Sequence, residues 1–153
     1  MQFLELKIPP PVVATLIGVA MWGISLVTSL IELPAPISLV VAIAIAVMGV
    51  AFDLAGIVVF RRVRTTIHPM KPHNTSSFVN YGIYRVTRNP MYVGLVLILV
   101  AWAVFLSSAW ALLGPIAFVL YIGRFQIIPE ERFLLVKFGT RYSDYKSKVR
   151  RWL

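Results

Sequence analysis

An all-α integral membrane protein is the fold class this chain predicts: four transmembrane helices in two hairpins, followed by an amphipathic helical tail on the cytoplasmic side. Three observations predict it. Of the 153 residues, 59% are hydrophobic and 14% are charged, against roughly 45–50% and about 25% in soluble domains. The apolar residues gather into runs of about spanning length, divided by short turns near residues 32–36 and 107–110 that hold no Lys or Arg. Of the 15 Lys and Arg residues, all but Lys7 and Arg124 fall in two blocks, one at 61–88 and one at 132–151. Positive charge stays on the cytoplasmic side of a membrane, so the 61–91 loop, the tail and the N-terminus are expected there, in the inner membrane of a prokaryote.

The elements follow in order. Residues 1–10 are a short amphipathic lead-in carrying Glu5 and Lys7. The first span covers about 11–31. It is long, weakly flanked by basic residues and without a clear small-x-small cleavage site, so it reads as a transmembrane helix and not a signal peptide. A proline-rich turn, Glu32 to Pro36, leads into the second span at about 37–60. After the loop come spans at about 92–107 and 110–128, with a turn at Ser107–Ser108. The tail, 129–153, opens with Pro129, Glu130 and Glu131, where acids favour a helix N-terminus. Gly139 is expected to break that helix. Tyr142, Tyr145 and Val149 then form one apolar stripe on a second, basic helix, suited to lie on the membrane or fold over the bundle mouth. The whole chain, 1–153, reads as one membrane domain. Gly18, Ala20, Gly23, Gly49 and Gly56 read as helix-packing positions, and Trp22, Trp102, Trp110 and Trp152 as interface anchors.

Composition also excludes chemistry. The net charge of +9 sits in juxtamembrane blocks that topology and anionic lipid headgroups explain, so no nucleic-acid partner is expected. There is no cysteine, hence no disulfide and no thiolate metal site. His68 and His73 stand in a proline-broken loop without a third ligand, so no metal is expected. No glycine-rich dinucleotide loop and no P-loop is present. No Ser/His/Asp triad or acid–base carboxylate pair can be argued, and no catalytic residue is assigned.

Three features remain. In Tyr81–Gly94, YGIYRVTRNPMYVG, Pro90 is placed for a first helical turn and Asn89 for its N-cap. The open N–H groups of that turn, with Arg88, would suit a carboxylate or another anion. Glu130–Glu131 at the membrane boundary must pair, either with Arg85 or Arg88 or with the ammonium of a ligand. Asp53 lies within the second span, where an acid is costly and faces the bundle interior; a functional role and a structural pairing are both open.

The order of these motifs resembles the isoprenylcysteine carboxyl methyltransferase family, whose C-terminal pattern the membrane phospholipid N-methyltransferases share. The residues carrying the resemblance are Gly82-Ile-Tyr84, Arg88-Asn-Pro-Met-Tyr-Val-Gly94, Glu130-Glu131 and Phe138-Gly-Thr-Arg-Tyr142-Ser-Asp-Tyr145. They extend from Ser76 to the C-terminus, about half the chain. The resemblance implies S-adenosylmethionine as cofactor, lined by Ser76, Ser77, Phe78, Val79, Tyr84, Asn89, Pro90, Met91, Tyr92 and Glu130. It implies a lipid, lipophilic or prenylated acceptor, either a prenylcysteine-type carboxylate or a phospholipid amine, entering sideways from the bilayer. Two departures stand out. Asn89 replaces the family's usual His, and Gln126 replaces an Arg four residues before the binding Glu, with Arg124 two residues earlier; Arg124 and Gln126 are the acceptor-side candidates. Related sterol reductases, which bind a nicotinamide cofactor, and a non-enzymatic lipid-binding protein are the alternatives.

Overall fold

The computed structural model describes residues 5–28, 34–63 and 79–153. The expectations for Glu32, His68, His73, Ser76, Ser77 and Phe78 fall outside these residues. Six α-helices are described: α1 (Pro10–Val27), α2 (Ala35–Val63), α3 (Pro90–Phe105), α4 (Leu113–Ile122), α5 (Ile128–Phe138) and α6 (Thr140–Lys148). Among the described residues there is no strand, only an isolated parallel bridge between Thr87 and Arg150.

Prolines set the helix starts. Pro9 and Pro34 lend their carbonyls to the first N–H groups of α1 and α2, while Pro10 and Pro90 take first-turn positions whose N–H would have no intrahelical partner. Among the described residues, three stretches are long and apolar enough to cross a membrane: Pro10–Val27, Ala35–Val59 and Trp110–Phe138. The helix α3, with 16 residues, is about 24 Å long and falls short of a bilayer core of about 30 Å. It stops at Ser107, whose φ is +48°.

The tail does not begin where Pro129 stands. A turn of 3-10 helix at Trp110–Leu112, α4, a π-turn at Gly123–Ile127 and α5 form one continuous rod. Proline lacks the N–H that would bond the Phe125 carbonyl four residues back. The π-turn absorbs the steric conflict, and the Phe125 carbonyl instead accepts the Leu6 N–H at 3.0 Å. Glu130 and Glu131 therefore sit in mid-rod, not at a free helix N-terminus. The rod's 29 residues measure about 43 Å. The part of the rod from Pro129 onward carries the charges of Glu130, Glu131, Arg132 and Lys137. The break at Gly139 is as expected, at φ +53°.

Helix pairing in space follows the chain only in part. The most extensive contact is between α2 and α3, while α1 packs mainly against α4, α3 and Trp110–Leu112. Glycine makes the first of these possible: a Cβ on Gly94 would lie 2.7 Å from the Gly49 carbonyl and overlap Asp53 Oδ1. Asp53 thus faces the α2–α3 seam, and its Oδ1 is buried without a hydrogen-bond partner among the described residues. Gly56 makes room for Met91 in the same seam. The core between α1, α3 and the rod is built from Met21, Leu99, Phe118, Ile122 and Ile127.

Trp102 Nε1 donates to the Gly18 carbonyl at 3.0 Å, and Trp152 packs against the core. Trp22 and Trp110 are exposed. Among the described residues nothing lies within 4 Å of a Cβ on Gly23, and Ala20 is exposed.

Candidate functional site

The site forms where the N-terminus of α3, the start of α5 and the tail converge. Tyr92, on the first turn of α3, is buried and its hydroxyl donates to Glu130 Oε1 at 2.8 Å. Gln126 donates to the same oxygen through Nε2 at 2.9 Å; the i, i+4 spacing on the rod brings the two together. No ion pair reaches Glu130 among the described residues. Burial pushes its carboxyl up to about 7; the Gln126 and Tyr92 hydrogen bonds oppose the shift and the neighbouring Glu131 charge adds to it. A half-buried carboxyl held by neutral donors gains from a nearby cation.

Glu131 has the opposite surroundings. It is 7% exposed and is held by Arg151 at both oxygens, Nε to Oε1 at 3.0 Å and Nη2 to Oε2 at 2.8 Å. Arg88 Nη2 lies 3.2 Å from Oε1 and Lys146 Nζ 3.6 Å from Oε2. Burial opposes its ionisation, but the Arg151 hydrogen bonds and the Arg88, Arg151 and Lys146 charges outweigh it and hold the carboxyl below its ordinary value. Adjacent glutamates therefore do different work. Glu131 fastens the tail, and Glu130 has no cation partner among the described residues.

The tail is pinned to the 84–89 segment by backbone and side chain alike. Tyr145 donates its hydroxyl to the Tyr84 carbonyl at 2.6 Å, the Arg88 N–H donates to the Arg150 carbonyl at 3.0 Å, and Asn89 Nδ2 donates to the Arg151 carbonyl at 2.9 Å. This corrects the capping role expected of Asn89. It holds the position before α3, but its side chain makes no cap hydrogen bond and is spent on the tail. Tyr142 and Tyr145, the predicted stripe, are buried on this contact, whereas Val149 has left the helix and is extended.

Of the other predicted residues, Val79 and Tyr84 form a small buried cluster with Val59. Pro90 is fully buried and Met91 turns towards α2. Arg124 does not join Gln126. It lies on the far side of the π-turn and pairs with Glu5 at 3.1 Å, as does Arg132 at 3.0 Å. Sequence reasoning missed Arg151, Glu5 and Thr87, the last fully buried under the tail. The i, i+4 relation of Gln126 to Glu130 was readable; the partners of Glu131 at a distance of 20 residues were not.

Comparison with known proteins gives the following. A sequence model of the family described as phospholipid methyltransferase matches residues 37–141. Two rice proteins, from Oryza sativa subsp. indica and subsp. japonica, each named "Probable protein-S-isoprenylcysteine O-methyltransferase", are 33% identical over 91 residues. The match covers 56% of this chain and 46% of each rice protein, so this chain spans about half the length of those relatives. An uncharacterized protein of Haemophilus influenzae is 54% identical over 63 residues, 41% of this chain and 100% of that protein. No solved structure matches.

Proposed function

The chain belongs to the phospholipid methyltransferase family, and from that premise we propose that it transfers a methyl group from S-adenosylmethionine to a lipid or lipid-like acceptor at the cytoplasmic face of the membrane. The observation that carries this reading is Glu130, a half-buried carboxylate that takes the neutral donors of Tyr92 and Gln126 and has no ion-pair partner among the described residues. S-adenosylmethionine carries a sulfonium and an ammonium, and a carboxylate without an ion-pair partner fits such a cation. When bound, the cofactor supplies an electrophilic methyl group.

This chain's own residues then have definite parts. Tyr92 and Gln126 hold the Glu130 carboxylate in one orientation for the ligand's ammonium or a ribose hydroxyl. Tyr84, Val79 and Pro90 give buried walls near the same helix start, and Ser76, Ser77 and Phe78 are assigned to the cofactor by family resemblance. The docked tail closes the site against water. Because the transfer is an in-line displacement, alignment of donor and acceptor is the main contribution asked of the protein. A carboxylate acceptor needs no base; an amine acceptor must arrive neutral.

Lipid acceptors suit the surroundings. An apolar groove of about 670 Å³ runs between α1, α2 and α3, walled by Ala14, Gly18, Ala46, Ile98 and Trp102, and includes Leu95, one turn along α3 from Tyr92. A hydrocarbon chain lying there leaves its headgroup near the level of Glu130. The reading includes four spans, with α3 as the shortest, and both termini in the cytoplasm. Gln126, which touches Glu130, and Arg124, which does not, are assigned to the acceptor side. Calorimetry with S-adenosylhomocysteine in detergent, followed by transfer of labelled methyl groups into native lipid extracts, tests the proposal. Absence of both binding and transfer would refute it.

A further inference from the structure

Three cations, Arg88, Arg151 and Lys146, gather on the single carboxylate of Glu131, which leaves two positive charges in excess. Arg151 engages both oxygens of that carboxylate. Arg88 is therefore poorly served. Its side chain is only 9% exposed. Its Nη2 reaches Glu131, while the N–H groups on either side of it, on Nε and Nη1, are buried with no partner among the described residues. Buried donors in native proteins are paired with few exceptions, and a guanidinium offers five. Arg88 is also held in place from behind, because its own N–H donates to the Arg150 carbonyl.

We propose that Arg88, with Arg151 and Lys146 from the tail, forms an oxyanion site beside Glu130, and that it takes the α-carboxylate at the amino-acid end of the cofactor. The inference rests on the methyltransferase reading above. Glu130 and Glu131 are consecutive residues of α5, so a carboxyl with no ion-pair partner among the described residues lies one residue from the carboxylate that Arg88 engages through Nη2, while Nε and Nη1 of Arg88 remain without a partner among the described residues. An amino-acid zwitterion carries its ammonium and its carboxylate on one carbon and satisfies both. A lone phosphate would satisfy Arg88 and leave Glu130 unmatched. The site is composite, with Arg88 before α3 and Arg151 and Lys146 from the end of the chain, so it exists only while the tail is docked.

The test compares S-adenosylhomocysteine with its decarboxylated analogue by calorimetry on the full chain in detergent, in wild type, Arg88→Gln and Arg88→Lys. Wild type should bind the carboxylated ligand about 10- to 100-fold more tightly, the range expected for a charge-assisted hydrogen bond. In Arg88→Gln the gap should close, with affinity for the decarboxylated ligand unchanged, and Arg88→Lys should restore part of it. The wild-type comparison needs no variant, so it stands even if Arg88→Gln fails to fold. Equal binding of both ligands by wild type overturns the proposal, as does an undiminished gap in Arg88→Gln. Equal binding together with loss of short-chain phosphatidylethanolamine binding in Arg88→Gln gives the site to a lipid phosphate and also overturns it. Absence of any S-adenosylhomocysteine binding by wild type removes the methyltransferase reading itself, a result distinct from failure to discriminate the carboxylate.

Discussion

Replacing Glu130 by Gln keeps the shape of the side chain and removes its charge. In the structure that charge has two neutral donors on Oε1 and no ion-pair partner among the described residues, so the substitution leaves the rod and the tail contacts in place. If a ligand ammonium sits on the carboxylate, the bond lost is charge-assisted, about 1.5–3 kcal/mol, or roughly ten- to a hundredfold in affinity. A ribose hydroxyl as partner gives a milder loss, because an amide oxygen still accepts. The pH dependence separates charge from shape. Burial holds the carboxyl near 7, and the ammonium needs it ionised, so wild-type affinity should be weak where Glu130 is protonated. It should rise roughly tenfold from pH 6 to pH 7.5 and level off above. Glu130→Gln should be weaker and flat across that range. The assay is calorimetry with S-adenosylhomocysteine in detergent. A pH-independent wild type together with wild-type-like affinity in the variant would refute the reasoning and leave Glu130 a structural group.

The α2–α3 seam predicts a second result: Gly94→Ala puts a Cβ onto Asp53 Oδ1 and within 2.7 Å of the Gly49 carbonyl. It should destabilise the protein by about 1–3 kcal/mol in thermal unfolding in detergent, whereas Gly23→Ala, with nothing within 4 Å, should not. Deleting residues 140–153 removes the Tyr145–Tyr84 and Arg151–Glu131 bonds; membrane insertion should persist while S-adenosylhomocysteine binding falls, and unchanged binding would make the tail an anchor only. Glu131 stabilises the fold through its ionised form. Its carboxyl is held below the ordinary value, so its contribution is present above about pH 4.5 and is lost as pH falls through the depressed value; Glu131→Gln should flatten that acid limb of the melting curve. Reporter fusions at residue 34, residue 75 and the C-terminus test the proposed orientation, with a periplasmic signal at residue 75 counting against it.

Much of this protein was readable from one-dimensional pattern, because the physics concerned is one-dimensional. A lipid environment requires backbone groups to be satisfied within each segment, so apolar runs alone imply helices. Pro10, Pro34, Pro90 and Gly139 mark helix boundaries through constraints on their own backbone. The motif segments around Arg88–Gly94 and Glu130–Glu131 were found by order and spacing, and the family match over residues 37–141 agrees with them.

Tertiary structure decided what depends on residues distant in the chain. Pro129 reads as a break, yet the helix runs through it because Leu6 supplies the N–H that the Phe125 carbonyl lost. Asn89 reads as a cap, yet a carbonyl 62 residues away claims its amide. The two glutamates look alike in sequence. They part company only when the tail delivers Arg151 and Lys146 to Glu131, while Tyr92 and Gln126 close on Glu130. Charge pairing and burial act through space, and which of two neighbouring carboxylates is neutralised is set by the fold that brings the partners, not by the pattern that names them.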